Sequence, residues 1–205
     1  PESLIRKGVE MVQKGMANPG FFNDNAAIKM ALGKGCTMEE ARDWTIVGCI
    51  QPGPGGGSTD GSPDAGYVNG PKALELVLHN GVDPWTGERL GIETGDPRDF
   101  KTFEELMEAV KKQLVYCYRM IKDGYDLMVP YHMLRYPVIF ASMAMKGCVE
   151  SGKSVQEGGA KYTTAGMFIT GAANLGDSLT AIEDLVYDKK KLTMDELIAA
   201  LDKNF

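Results

Sequence analysis

Among the residues that could do chemistry in this chain, Cys49 has the most telling setting. Val47-Gly48-Cys49-Ile50-Gln51-Pro52 carries an apolar stretch straight into a glycine-rich segment. Trp44-Thr45-Ile46-Val47 has the β-branched and aromatic character of a short buried strand, and Pro52-Gly53-Pro54-Gly55-Gly56-Gly57 is expected to end it. Cys49 is therefore predicted at a strand tip, where a reactive atom can be presented. The plain alternative is a small buried hydrophobe, which free cysteine commonly is. A thiolate nucleophile needs a base or a cation beside it, but the only histidines are His79 and His132, and no basic residue adjoins Cys49 in sequence. A Cys–His pair would have to be assembled by folding. The chemistry that fits best is that of a thiol held in a dry site and used without being ionised.

Other chemistries find less support. The cysteines Cys36, Cys49, Cys117 and Cys148 lie far apart with no Cys-x-x-Cys pair, so no metal site is expected, and a reducing cytoplasm suits them. Gly53-Pro54-Gly55-Gly56-Gly57-Ser58 lacks the Gly-Lys-Ser/Thr ending of a phosphate loop and does not fit the dinucleotide pattern. A net charge of −6 argues against nucleic acid as a partner, and Lys189-Lys190-Lys191 reads as a solvated turn. No apolar run reaches the ~18 residues of a membrane span, so no membrane is expected. Ser58, Asp60 and Asp64 are candidate substrate contacts on the loop after Cys49, although turn chemistry alone selects such residues. His79, after an apolar helix, and His132, after Pro130, are candidates too, although a histidine in either setting is more often a helix-end cation or a packed ring.

The elements that must position these residues are mostly helices. Helical spacing of apolar residues covers 2 to about 16, and a second helix spans about 25 to 32. Capping boxes at Thr37-Met38-Glu39-Glu40, Thr102-Phe103-Glu104-Glu105 and Thr193-Met194-Asp195-Glu196 open three more. The helix after Thr102 carries Phe103, Leu106, Val110, Leu114, Cys117 and Ile121 on one face, which predicts Cys117 in the core, and Pro130 is expected to stop it. A further apolar helix is expected from Pro137 to Cys148, and Tyr162 to Ile169 reads as a strand. The long glycine- and proline-rich loops at 51–66 and 82–101, together with the bare ends at Pro1 and Phe205, suggest part of a longer domain that is not self-sufficient.

Gly48-Cys49-Ile50-Gln51-Pro52 resembles the Gly-Cys-Val-Glu-Pro cysteine loop of the glycyl radical enzymes, the superfamily of pyruvate formate-lyase and glycerol dehydratase. Leu74-Glu75-Leu76-Val77-Leu78-His79-Asn80-Gly81, Glu93-Thr94-Gly95-Asp96-Pro97, Gly152-Lys153-Ser154-Val155-Gln156-Glu157-Gly158-Gly159-Ala160 and Gly176-Asp177-Ser178-Leu179 follow in the same order. The resemblance implies an α/β fold, this chain being a mainly helical fragment of a ten-stranded α/β barrel. Residues 1–205 would form part of one catalytic domain, with the Arg-Val-x-Gly-Tyr loop that carries the glycyl radical lying downstream.

It further implies that Cys49 becomes the thiyl radical that takes a hydrogen atom from a small-molecule substrate. No dissociable cofactor is implied; the radical resides on a protein glycine and is installed by a radical S-adenosylmethionine activating enzyme, and the parent protein would be a homodimer. Gln51 departs from the family pattern, because the eliminating members have glutamate there and an amide cannot take up a proton as a base. That departure turns the expectation from diol dehydration toward arylacetate decarboxylation or fumarate addition to a hydrocarbon, with Gln51 as a substrate-orienting amide. The absence of arginine between Gln51 and Lys72 weighs against a benzylsuccinate synthase proper. A diol dehydratase or related eliminase stays open, as does a stand-alone binding module that keeps the fold without the radical.

Overall fold

The computed structural model describes residues 2–47, 51–55, 58, 65–163 and 165–204, with only the backbone of Val47. In chain order the elements are α1 (Glu2–Gln13), α2 (Asp24–Gly33), α3 (Met38–Arg42), β1 (Trp44–Val47), β2 (Gln51–Pro54), β3 (Gly66–Asn69), α4 (Gly70–Leu78), α5 (Phe103–Arg135), α6 (Ile139–Ala144), α7 (Cys148–Ser151), β4 (Met167–Thr170), α8 (Ala172–Ile182) and α9 (Met194–Asp202). The architecture is the α/β, mainly helical one expected. Among the described residues no helix is long and apolar enough to cross a membrane. The chain divides into two compact units, residues 1–63 with 136–164, and residues 64–135 with 165–205.

The second unit holds the larger core. Leu74, Val77 and Leu78 of α4 pack with Leu106, Ala109 and Val110 of α5, Leu175, Leu179 and Ile182 of α8, and Met194 and Ile198 of α9. Leu106 and Val77 are fully buried, and each such side chain contributes about 1.5–3 kcal/mol through removal from water. Asn69 caps α4 by accepting from the Lys72 amide at 3.1 Å, with Pro71 in the first turn where its missing N–H costs nothing. Thr193 opens α9 with a reciprocal capping box, its hydroxyl accepting from the Glu196 amide while Glu196 accepts from the Thr193 amide. β3 and β4 form a parallel pair in the register Gly66↔Met167 to Asn69↔Thr170. Buried Asp83 pairs with Lys72 and accepts from the Thr86 amide at 3.2 Å, fixing the turn after α4.

In the first unit β1 and β2 are an antiparallel pair, from Val47↔Gln51 to Trp44↔Pro54. The expectation that Pro52 to Gly57 cannot belong to a strand is corrected here for residues 52–54, and the reason is the rung pattern. Pro52 and Pro54 stand opposite Ile46 and Trp44, on the alternate rungs where an antiparallel pair exchanges no hydrogen bonds. The donors needed come from the odd positions, as at Gly55, whose N–H donates to the Asp43 carbonyl at 3.1 Å. Trp44 Nε1 donates to Asp24 Oδ1 at 2.9 Å, tying β1 to the start of α2.

Three helix expectations also change. α5 continues through Pro130 to Arg135, so the proline removes one backbone bond without ending the helix. The Pro137–Cys148 helix is two short ones, α6 and α7, separated where Gly147 takes a positive φ of 98°. Cys117 is half-buried, not core: the buried face of α5 ends at Gln113. The strand predicted over 162–169 is confined to β4, with Tyr162 forming only an isolated parallel bridge to Ser58.

Candidate functional site

Positions 48–50 link β1 to β2, and the register Val47↔Gln51 defines the backbone on either side of them. Cys49 itself lies outside the described residues, as do Asp60 and Asp64. The eight residues of β1 and β2 (Trp44, Thr45, Ile46, Val47, Gln51, Pro52, Gly53, Pro54) include no ionisable side chain. A thiol carried by such a hairpin meets no charged group from its own two strands to draw it toward thiolate. Gln51 is half-buried at the first rung of β2. Gly53 and Pro54 are buried.

Ser58 is held by its bridge to Tyr162, and its hydroxyl oxygen is buried without a hydrogen-bond partner among the described residues. A buried orphan hydroxyl costs about 1–3 kcal/mol, which makes it a natural place for a polar group of a ligand. Its support comes from α3. The Thr37 hydroxyl accepts from the Glu40 amide at 3.2 Å, and Glu40 Oε2 accepts from the Thr37 amide at 3.1 Å. The same Oε2 accepts from the Tyr162 phenol at 2.6 Å, while Oε1 pairs with Lys161 Nζ. The Lys161 ammonium first, then the Tyr162 phenol and the Thr37 amide, pull the Glu40 carboxyl down from its ordinary 4.5 to about 2. The same carboxylate pushes the Tyr162 phenol up. The Tyr162 ring packs on Ala31, Cys36 and Ala41.

The two histidines belong to the other unit. His79 is the residue after α4, with Nδ1 at 2.8 Å from the Glu75 carbonyl and Nε2 at 2.8 Å from Asp202 Oδ1. Both ring nitrogens thus face acceptors within the unit, joining the end of α4 to α9. His132 lies in the last turn of α5, beyond the expected stop, its ring 6.3 Å from that of Tyr131. Beside His79 opens a cavity of about 1050 Å³ lined by Leu74, Leu78, Ile182, Leu185 and Leu197. Gln51 and Ser58 are grouped in the first unit, and His79 and His132 in the second. Among the described residues no group of three or more His, Cys, Asp or Glu could hold a metal ion.

Glu40 and Lys161 anchor the Tyr162 segment, a role that their places in the sequence do not reveal. The capping box marked Glu40 as the third residue of a helix. Nothing local could reveal a second role for it with a phenol 122 positions away.

The β1–β2 pair on either side of position 49 and the Ser58–Tyr162 bridge beyond it lie in a chain that matches the glycyl radical class of enzymes. The model of the family described as "Pyruvate formate lyase-like" matches residues 1–205, and the chain belongs to that family. It is 40% identical over its whole length to trans-4-hydroxy-L-proline dehydratase of Clostridioides difficile, and 37% identical to (2S)-3-sulfopropanediol dehydratase of Klebsiella oxytoca. The chain covers 26% of the first relative and 25% of the second, and so spans about a quarter of their length. The crystal structure of the C. difficile hydroxyproline dehydratase with its substrate superposes over the whole chain and 26% of that protein, with a TM-score of 0.88 at 40% identity. The glycerol-bound, B12-independent glycerol dehydratase of Clostridium butyricum gives a TM-score of 0.86 at 32% identity, over 100% of this chain and 26% of that one.

Proposed function

We propose that these residues are the cysteine-loop part of the catalytic domain of a glycyl radical lyase, and that the remainder of that domain, with its glycine loop, lies elsewhere in a longer polypeptide. The observation that carries the reading is the match along all 205 residues to dehydratases of this class, with the Gly48-Cys49 pair set between β1 and β2. The hairpin fits such a role, because a hydrogen-atom relay needs a neutral S–H and the strands bring no charge to it. The glycyl radical, put in place by a radical S-adenosylmethionine activating enzyme, supplies the hydrogen-atom acceptor for the thiol. The other tasks fall to this chain. The Cys49 sulfur exchanges a hydrogen atom with a substrate carbon, Gln51 and Ser58 offer hydrogen bonds to polar groups of the substrate, and the glycines of the loop allow close backbone approach.

The relatives favour elimination of a group from a small hydroxylated substrate. In that reaction Gln51 binds the hydroxyl, and the proton acceptor is a residue other than the one at position 51. Asp60, Asp64, His79 and His132 are candidates for substrate contact. His79 is the weakest of these, since both its ring nitrogens already have partners. The protein would act as a soluble cytoplasmic homodimer on a small molecule.

A second reading rests on Gln51 itself. An amide in place of the usual carboxylate suits a reaction that removes no hydroxyl proton, such as arylacetate decarboxylation or addition to fumarate, and one relative at 29% identity is named indoleacetate decarboxylase. Incubating the activated longer protein with propane-1,2-diol, glycerol, trans-4-hydroxy-L-proline and an arylacetate, and analysing the products, separates the two. Dehydration supports the first reading, and carbon dioxide release supports the second. Binding without turnover, in a protein that cannot be activated, would mean a binding module that only inherits the fold.

A further inference from the structure

The cysteine-bearing segment is flanked on both sides by elements that meet at one carboxylate. On the upstream side α3 runs through Asp43 directly into β1. On the downstream side, beyond β2, Ser58 forms a parallel bridge with Tyr162. Glu40 serves both. Through Thr37 it closes the first turn of α3, with 3.1 Å to the Thr37 amide and 3.0 Å to its hydroxyl. Through Tyr162 and Lys161 it grips the segment that pairs with Ser58, the phenol donating at 2.6 Å and the ammonium pairing with the other oxygen.

The Lys161 ammonium also lies 5.3 Å from the Tyr162 ring centroid, so the cation restrains the ring as well as the carboxylate. The ring rests on Ala31, Cys36 and Ala41, which are nearly or fully buried between α2 and α3. The hydroxyl of Tyr162 is therefore not needed to bury the ring; its particular work is to fix where the 161–162 backbone stands relative to α3. Glu40 is only about one-quarter exposed, and Lys161 has 40% of its side chain exposed, so the pair is partly shielded from solvent.

We propose that Glu40 is a positioning residue which, through Tyr162, holds Ser58, a candidate substrate contact, in register with the β1–β2 hairpin. Its effect is to keep the orphan Ser58 hydroxyl at a fixed place relative to the hairpin, so that a polar substrate group meets it without a cost in ordering the loop. The proposal rests on the reading of Ser58 as a substrate contact for its consequence in catalysis, but not for the clamp itself.

Two measurements keep those apart. The first is amide hydrogen exchange in the longer protein for Tyr162→Phe, Glu40→Ala and Glu40→Gln. Tyr162→Phe keeps the ring on its cluster and should speed exchange at the Ser58–Tyr162 bridge about tenfold, while the amides of α2 exchange as in the wild type. Glu40→Ala should do the same or more, and Glu40→Gln, which retains an oxygen for the phenol, should recover part of the protection. Unchanged exchange at the bridge in Tyr162→Phe, or equal acceleration throughout the first unit, overturns the clamp.

The second is steady-state kinetics of the activated longer protein on whatever substrate the wild type turns over. Tyr162→Phe should raise KM roughly tenfold with kcat within about twofold. A fall in kcat at unchanged KM contradicts the positioning role. Loss of bridge protection in a protein whose wild type has no turnover leaves the clamp standing and refutes the catalytic reading.

Discussion

Val47 stands opposite Gln51 at the end of the β1–β2 ladder, so the side chain that departs from the family pattern sits on the first rung after the cysteine. That rung belongs to the hydrogen-bonded series which the prolines at 52 and 54 leave intact. Gln51 is thus set on a regular strand directly after the segment that carries Cys49 in sequence.

Gln51→Ala should weaken substrate binding and leave chemistry running. The loss of one hydrogen bond predicts a KM about 3- to 10-fold higher in the activated longer protein, with little change in kcat. Complete loss of turnover would instead make this amide essential to the chemical step.

Acid should loosen two distinct anchors. The Glu40 carboxyl is held at about 2 against an ordinary 4.5, first by Lys161, and that of Asp83 at about 2 against 3.8, first by Lys72. Both values are depressed by folding, so the stabilisation is fully present above the unfolded-state values and is lost as pH falls toward 2. Urea midpoints measured between about pH 5.5 and pH 2.5 should fall steeply below about pH 4.5. Asp83→Asn should lower the midpoint near neutrality and flatten the acid limb. A wild-type midpoint that ignores pH in this range would contradict the ion pairs.

Gly81 turns the chain after α4 with a φ of 87°, and a Cβ there would lie 2.6 Å from the Ile92 carbonyl oxygen and 2.8 Å from that of Gly91. Gly81→Ala should therefore cost about 2 kcal/mol or more, because strain and a backbone clash combine. Chemical denaturation measures it; a cost below about 0.5 kcal/mol would mean that the turn relaxes freely.

The sequence made the helix starts legible because capping is local. Thr37 and Thr193 open helices at the predicted residues, and both complete the reciprocal bonds their spacing implies. Trp44–Val47 was likewise readable as a strand from residue type alone. What failed had remote causes. β2 is built from glycine and proline, and only its pairing with β1 explains why these residues are tolerated. β3 was not foreseen, since its partner β4 lies about a hundred positions away in the chain. At α5 the apolar stripe predicted burial as far as Cys117 and Ile121, yet the core stops at Gln113 because burial depends on what packs against each turn. The histidines show the same limit for the site. His79 was recognisable as a helix-end residue, but its bond to Asp202 spans 123 positions.

The distal part of α5 presents Leu127 and Leu134 at 79% and 84% exposure. The isolated chain should bind a hydrophobe-sensing dye, and Leu127→Lys with Leu134→Lys should reduce that binding. Equal dye binding in the double variant would place the exposed apolar surface elsewhere.

The central claim is that Cys49 is the hydrogen-transferring residue. The most direct test is Cys49→Ala in the activated longer protein, with turnover and the electron paramagnetic resonance signal of the glycyl radical recorded on the same sample, and Cys117→Ala as the control. The account predicts that Cys49→Ala keeps the radical signal and loses all turnover, while Cys117→Ala retains both. Turnover persisting in Cys49→Ala would contradict it.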